Sequence, residues 1–322
     1  MLCYCTWRVP NLPQFLLDKR ILYQSLSQSA ADFFSSAQPE AHRIFHGRGQ
    51  LFEGLEHLSV DWYSPVVLIT TYEEIDDTEK LTNAIIQHDT HSQIESVMLQ
   101  YRKRRGTPTQ CLYRNPINHC IVEENGLKYE VQPGVNQNAG LFLDMRPLRR
   151  WLSQSSKGKN VLNLFAYTCS LSVAALAAGA RQVVNVDMSK PSINWGSRNH
   201  ALNNQDPRLV KAVPNNLFRS WGKIKHFGPY DTIIIDPPTR QKGSFDVERN
   251  YGTVLKKLKS LSAGKADVIA TVNSPYLTDD FLINQFARHA PQCRFRTMMP
   301  GSEEFPDKFP ERAIKIYHFS AS

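Results

Sequence analysis

A chain of 322 residues with 41% apolar content can bury more than one core and is too apolar for wholesale disorder. No apolar run approaches the length of a bilayer span, and the start, MLCYCTWRVPNLPQ, lacks the basic end and apolar centre of a signal peptide. Six scattered cysteines without a CxxC spacing, with a formal charge of +8, speak against a disulfide scaffold or a structural zinc site. They predict a reduced, cytoplasmic protein with a polyanionic partner, no metal and no membrane.

Residues 1–39 carry mixed helical signals and predict an N-terminal helical segment. Residues 40–134 read as a small α+β domain, a candidate RNA or substrate domain. Strands are expected at Leu58–Tyr63 and Val66–Tyr72, broken by Ser64-Pro65, with a helix over Ile75–His88 capped by Asp76 or Asp77. Ile94–Tyr101 returns to strand. CIVEENGLKYEVQP is a hairpin around Asn125-Gly126, the pair a type I′ turn prefers. Between these lie Arg102, Lys103, Arg104 and Arg105, a basic loop suited either to phosphate contact or simply to solvent.

The segment Asn136–Leu152 links this domain to residues 135–322 and contains Phe142, Asp144 and Arg146, then a basic amphipathic turn with Arg149, Arg150 and Trp151. Pattern alone reads Asp144 and Arg146 as a surface ion pair. From Lys159 onward strands and helices alternate. Strands are expected at 160–165, 182–187, 209–213, 230–235, 266–272, 293–299 and 312–319; helices at 169–178, 191–203, 217–226, 246–261 and 278–289. This specifies an α/β fold with a doubly wound, Rossmann-like seven-stranded sheet. The short connection between the last two strands predicts a terminal antiparallel hairpin.

The first βαβ unit is VLNLFAYTCSLSVAALAAGARQVVNVD. Its turn has no glycine, which counts against a dinucleotide pyrophosphate. A doubly wound sheet ending in an antiparallel hairpin resembles the class I S-adenosylmethionine-dependent methyltransferases, whose cofactor has no phosphate, and the small residues of the turn (Ala166, Thr168, Cys169, Ser170) would let its methionine moiety pass. Asp187, about 20 residues further on, is placed to hold ribose hydroxyls, or merely to begin a helix. Met188 suits an adenine face or the core. Asn216, followed by Leu217, suits the adenine edge or a helix cap. The strand DTIIID ends in Asp236-Pro237-Pro238, a rigid turn whose carboxylate and carbonyls can orient a planar base, so these three are the candidate catalytic residues. Asn273-Ser274-Pro275 closes the next strand beside it. Neither strand end carries a cysteine, which methylation at cytosine C5 requires as a nucleophile; a nitrogen acceptor needs none.

GLFLDMRPLRRWL, the βαβ unit above with its continuation MSKPSINWGSRNHALNN, and DTIIIDPPTRQKGSFDVERNY resemble the bacterial 23S ribosomal RNA methyltransferases. These are class I S-adenosylmethionine-dependent enzymes. The likeness is greatest to the guanine-N7 branch, with the cytosine-C5 enzyme as a relation. The resemblance implies S-adenosyl-L-methionine as cofactor and large-subunit ribosomal RNA as partner. It also implies cofactor contacts from Phe142, Asp144, Arg146, Asn163, Phe165, Thr168, Asp187, Asn216 and Asp236, with Met188 and Leu217 alongside. The RNA phosphates fall to Arg102–Arg105, Arg149 and Arg150. Cys169 departs from the family's glycine and Asn216 from its aspartate. A non-catalytic RNA-binding protein on a decayed fold, or a methyltransferase for a non-RNA substrate, are the alternative readings.

Overall fold

The structure, a computed structural model, describes residues 23–241, 245–274 and 276–321. The part of the helical reading on residues 1–22, Cys3, Cys5 and Pro275 lies outside them.

Helix α1 (Gln24–Phe33) leads into a five-stranded sheet of β1 (His42–His46), β2 (Leu58–Tyr63), β3 (Val66–Thr71), β4 (Ser96–Tyr101) and β5 (Thr109–Arg114), in that spatial order. Only β3 and β4 run parallel, and α2 (Thr78–Ile86) makes the crossover between them. The Asp77 carboxylate caps α2 by accepting the Lys80 N–H at 2.8 Å. Helices α1 and α2 cover one face, where Trp62, Phe34 and Leu26 are fully buried. The outer strands β1 and β5 have no counterpart in the sequence reading. Both are edges, and neither shows a sustained apolar run or clean alternation.

The hairpin β6 (Cys120–Glu124) and β7 (Leu127–Val131) turns at Asn125 and Gly126, with φ of 51° and 73°, as a type I′ turn demands. It packs on the second half of the chain, where the Trp195 indole N–H donates to the Glu130 carbonyl at 3.0 Å.

The second sheet follows α3 (Arg146–Ser155). Its elements are β8 (Asn160–Leu164), α4 (Ser170–Ala177), β9 (Gln182–Asp187), α5 (Lys190–Leu202), β10 (Val210–Pro214), α6 (Trp221–Phe227) and β11 (Tyr230–Ile235). A two-stranded ribbon of β12 (Arg240–Gln241) and β13 (Phe245–Asp246) comes next. After it come α7 (Val247–Leu255), α8 (Leu258–Leu261), β14 (Ser262–Val272), α9 (Asp280–His289), β15 (Cys293–Met299) and β16 (Lys315–Ala321). The strand order is β10-β9-β8-β11-β14-β16-β15, with the first five parallel and β16 antiparallel to both neighbours. This is the expected doubly wound sheet with its terminal hairpin. Order reverses between β8 and β11, so a ligand crevice opens beyond their carboxyl ends. Helices cover both faces, which is why β8 and the run Thr232–Ile235 are buried throughout and rich in Val, Leu and Ile, with Asn160, Asn163 and Thr232 as their buried polar members.

The chain between β15 and β16 is more than a connection. It crosses to the first sheet as a strap: the Glu304 carboxylate accepts the Arg43 N–H at 3.0 Å, and the Lys308 N–H donates to the Gly49 carbonyl at 2.7 Å. The Arg43 guanidinium sits 4.5 Å over the Phe305 ring. No helix among the described residues is long and apolar enough to cross a membrane.

Candidate active site

The glycine-free first turn adopts the backbone that glycine would ordinarily supply. Phe165, Tyr167 and Cys169 have φ of 61°, 45° and 62°. Each left-handed non-glycine residue costs about 1–2 kcal/mol, and such strain persists only where its surroundings enforce it. Here Asp187 does so from the end of β9: its carboxylate accepts the N–H of Tyr167 at 2.9 Å and of Ser189 at 2.8 Å. The Thr168 hydroxyl donates to the Gly140 carbonyl at 2.6 Å, and the Asn199 amide donates to the Thr168 carbonyl at 2.9 Å. Cys169 finds its space because residue 196 of α5 is glycine; a Cβ there would come within 2.2 Å of Sγ. Cys169 is 2% exposed, and burial pushes its thiol up, which disfavours the nucleophilic thiolate.

Asp187 lines a small cleft of about 20 Å³ with Phe165, Met188, Asn216, Leu217 and Phe218. Met188, 43% exposed, forms part of its rim. Asn216 also caps the turn that follows it, accepting the Phe218 N–H at 2.9 Å. Burial raises the Asp187 pKa, against the pull of its two backbone N–H donors.

A larger cleft of about 720 Å³ lies between the two sheets. Arg43, Arg48 and Arg102 reach it from the first sheet, Phe142 and Asp144 from the linker, Tyr167 and Asn273 from the rim of the second sheet, and Arg312 from the strap. Tyr167, absent from the sequence reading, belongs to the turn that Asp187 holds. The two clefts therefore share one piece of backbone.

Asp236 ends β11 half-buried and accepts the Thr271 hydroxyl at 2.5 Å. Pro237 is buried and Pro238 exposed. The Thr239 hydroxyl donates to the Asn273 carbonyl at 2.5 Å, and the Tyr251 hydroxyl lies 3.3 Å from the Ile235 carbonyl and 3.1 Å from that of Thr271. These bonds lock together the ends of β11 and β14. Burial chiefly raises the Asp236 pKa to about 6; Asp144 adds to the rise, while the Thr271 hydroxyl and Arg149 oppose it. A raised carboxyl pKa favours the fold while protonated, so that contribution is full below about pH 4 and lost as pH climbs through 6. Asp236→Asn is accordingly expected to stabilise the protein by about 1–3 kcal/mol at pH 8 and to change little at pH 4. Denaturant unfolding at the two pH values checks this; equal shifts at both would contradict it.

Several residues from the sequence reading stand elsewhere. Phe142 and Asp144 line the larger cleft rather than the one around Asp187. Asn163, 1% exposed, donates its amide to Asn185 Oδ1 at 3.1 Å and, like Thr168, lies beneath the rim. Two assignments are corrected. Arg149, read as a phosphate contact, is 1% exposed and grips Glu124 through Nε–Oε1 at 2.5 Å and Nη2–Oε2 at 2.7 Å. Arg146, read as a cofactor contact, is 4% exposed and held by Glu40 at 2.8 Å, Glu304 at 2.7 Å and Glu124 at 3.5 Å. Both were misplaced because their carboxylates come from distant segments. Of the basic loop, Arg104 pairs with Glu74 and stacks 3.7 Å over Tyr101, and Lys103 and Arg105 are exposed. Arg102 alone lines the larger cleft, while Arg150 stays on the surface beside Asn125. Arg43, Arg48 and Arg312 were missed; the one local signal was an arginine between two glycines, Gly47-Arg48-Gly49.

A sequence profile described as S-adenosylmethionine-dependent methyltransferase matches residues 42–320. The chain is 30% identical over 264 residues to the ribosomal RNA large subunit methyltransferase K/L of Colwellia psychrerythraea, covering 77% of this chain and 36% of that one. It thus spans about a third of the length of that relative. It is 29% identical over 286 residues to YwbD of Bacillus subtilis, provisionally named a ribosomal RNA large subunit methyltransferase, covering 83% of this chain and 70% of that one. Among solved structures, SMU.776 complexed with SAH superposes with a TM-score of 0.79 at 24% identity, over 93% of this chain and 80% of that one. That likeness concerns the fold. The glycine-free turn held by Asp187, the strand order and the profile match agree: the chain belongs to the S-adenosylmethionine-dependent methyltransferases.

Proposed function

We propose that this protein transfers the methyl group of S-adenosylmethionine to large-subunit ribosomal RNA, at a base nitrogen such as guanine N7. The observation that carries the proposal is the shared first turn. Asp187 holds it from the small cleft, and Tyr167 of the same turn faces the 720 Å³ cleft, roomy enough for an extruded base. The names of the Colwellia and Bacillus relatives and the net charge of +8 support RNA as the acceptor.

The donor set of the small cleft suits the cofactor. An ionised carboxylate has about four lone-pair sites, and Asp187 has committed one to each of two backbone N–H groups. The remainder can accept from ribose hydroxyls. Met188, Leu217 and Phe218 offer apolar surface to an adenine, and Asn216 offers a polar edge. With only about 20 Å³ between them, these side chains must draw aside to admit a nucleoside.

When bound, S-adenosylmethionine supplies an activated methyl group on a positively charged sulfur. The chain's contribution is orientation and exclusion of water. Asp236 is fixed by Thr271 and lines neither cleft, so it would accept a hydrogen bond from a base N–H only once the turn after β11 shifts toward the larger cleft. No cysteine lines the larger cleft among the described residues, which favours a nitrogen lone pair over C5 as the acceptor.

The test is transfer of labelled methyl to ribosomal RNA isolated from cells lacking the gene, followed by nucleoside mass spectrometry. Label in 7-methylguanosine is expected. Label in 5-methylcytidine would reverse the choice of atom, and no label in RNA would remove the proposal.

A further inference from the structure

Arg48 and Arg102 enter the same region of the larger cleft, and neither has a carboxylate within 4 Å among the described residues. Arg48 lies 4.4 Å over the Tyr72 ring and donates to the Tyr72 hydroxyl at 2.6 Å. Arg102 donates to the Gln137 carbonyl, while its buried Nε has no acceptor. Ser59, 3% exposed, lines the same cleft, and its hydroxyl also lacks a partner. The carboxylate that acts on Arg102 from a distance, Asp61, is already gripped through both oxygens by Arg43, with Nη2–Oδ2 at 3.1 Å.

The contrast within the molecule is informative. Arg43, Arg146 and Arg149 are each matched to a carboxylate. Arg48 and Arg102 bring two guanidinium groups together with none. Burial lowers the Arg102 pKa and the Arg48 charge adds to that, while Tyr72 and Asp61 oppose it. Two guanidinium groups, an unpaired Nε–H and an unpaired hydroxyl are together short of one anion with several acceptor oxygens.

The backbone under Arg48 is built for a fixed position. A Cβ at Gly47 would meet the Leu55 carbonyl oxygen at 1.9 Å, and one at Gly49 would meet that of Pro306 at 1.9 Å. Only glycine on both sides lets this turn wedge between the first sheet and the strap, and Tyr72 then orients the guanidinium. Such preorganisation reduces the entropy lost on binding.

We propose that Arg48 and Arg102, with Ser59 beneath them, form a subsite for a backbone phosphodiester of the RNA strand beside the acceptor base. The subsite rests on the RNA reading above.

The test uses the full chain with cofactor and measures RNA affinity against salt, together with KM and kcat for methyl transfer. Arg48→Gln and Arg102→Gln are each expected to reduce the slope of log affinity against log salt by about 0.7–0.9. Each should raise KM for RNA about tenfold, with kcat within about twofold. Arg208→Gln, an equal charge loss at an exposed site paired with Asp206, should move neither. Arg102→Lys should recover the slope but not KM, because the ammonium keeps the charge and loses the fork. Thermal scans identify misfolding; should Arg102→Gln fail to fold, the exposed Arg48 decides alone. If the wild type binds and methylates RNA while both glutamine variants keep its slope and KM, the subsite is wrong and the RNA reading survives. If the wild type neither binds nor methylates RNA, the reading fails and takes the subsite with it. Inorganic phosphate should compete with RNA for the wild type and lose that effect in the double variant. Phosphate binding with RNA affinity untouched by either substitution would mean a free-phosphate site and overturn the proposal.

Discussion

Asp187→Ala is expected to weaken S-adenosylmethionine binding by at least about 100-fold, with Asp187→Asn costing roughly tenfold. Hydrogen bonds to a charged acceptor contribute about 1.5–3 kcal/mol each, and 100-fold corresponds to about 2.7 kcal/mol. The alanine would lose more than the proposed ribose contacts. It strands the N–H groups of Tyr167 and Ser189, and leaves a turn of three left-handed residues to its remaining contacts, among them the Thr168–Gly140 and Asn199–Thr168 hydrogen bonds. Asparagine keeps one acceptor oxygen and the shape, so it separates loss of charge from collapse of the turn. Calorimetric titration with the cofactor, paired with a thermal scan of each variant, is the measurement. Near-wild-type affinity in a folded Asp187→Ala protein would mean that the ribose is held elsewhere. A wild type that bound RNA but showed no heat with the cofactor would favour the alternative of a non-catalytic RNA-binding protein.

Glu124→Gln is expected to destabilise the fold by about 3–5 kcal/mol, because it leaves the Arg149 guanidinium buried without its counter-charge. In a chain of this size the thermal midpoint should fall on the order of 10 °C. Both side chains are 1% exposed, and the pairing is two-pronged. The same carboxylate lies 3.5 Å from Arg146 Nε, which in turn holds Glu40 before the first sheet and Glu304 in the strap. One charged cluster thus joins both sheets, the hairpin and the strap behind the larger cleft. Replacing both partners by apolar residues, Arg149→Met with Glu124→Leu, should recover much of the stability. Methyl transfer should remain impaired, because Arg146 and its carboxylates would settle differently. If the single and double variants melt alike, the pair is not the source of the effect.

The second half of the chain was legible because its information is local. Strands buried on both faces are rich in Val, Leu and Ile, the crossovers are short, and the strand boundaries expected from the sequence lie within a few residues of those observed. Asn125-Gly126 specified its turn, since that pair tolerates the positive φ both positions require. Asp187 and Asp236 could be placed at strand tips from the pattern alone. Tertiary structure decided the rest. Edge strands β1 and β5 have no apolar signature, and the strap has meaning only against Gly49, which is remote in sequence. Local sequence marked Arg102, Arg104, Arg146 and Arg149 as basic without separating them. Folding brings Glu40, Glu124 and Glu304 to Arg146 and Arg149, takes Arg104 to Glu74, and leaves Arg48 and Arg102 facing an open cleft. Hydrophobic periodicity is set by near neighbours along the chain. The environment of a charge is set by whatever the fold brings within about 4 Å of it, and only the completed structure supplies that.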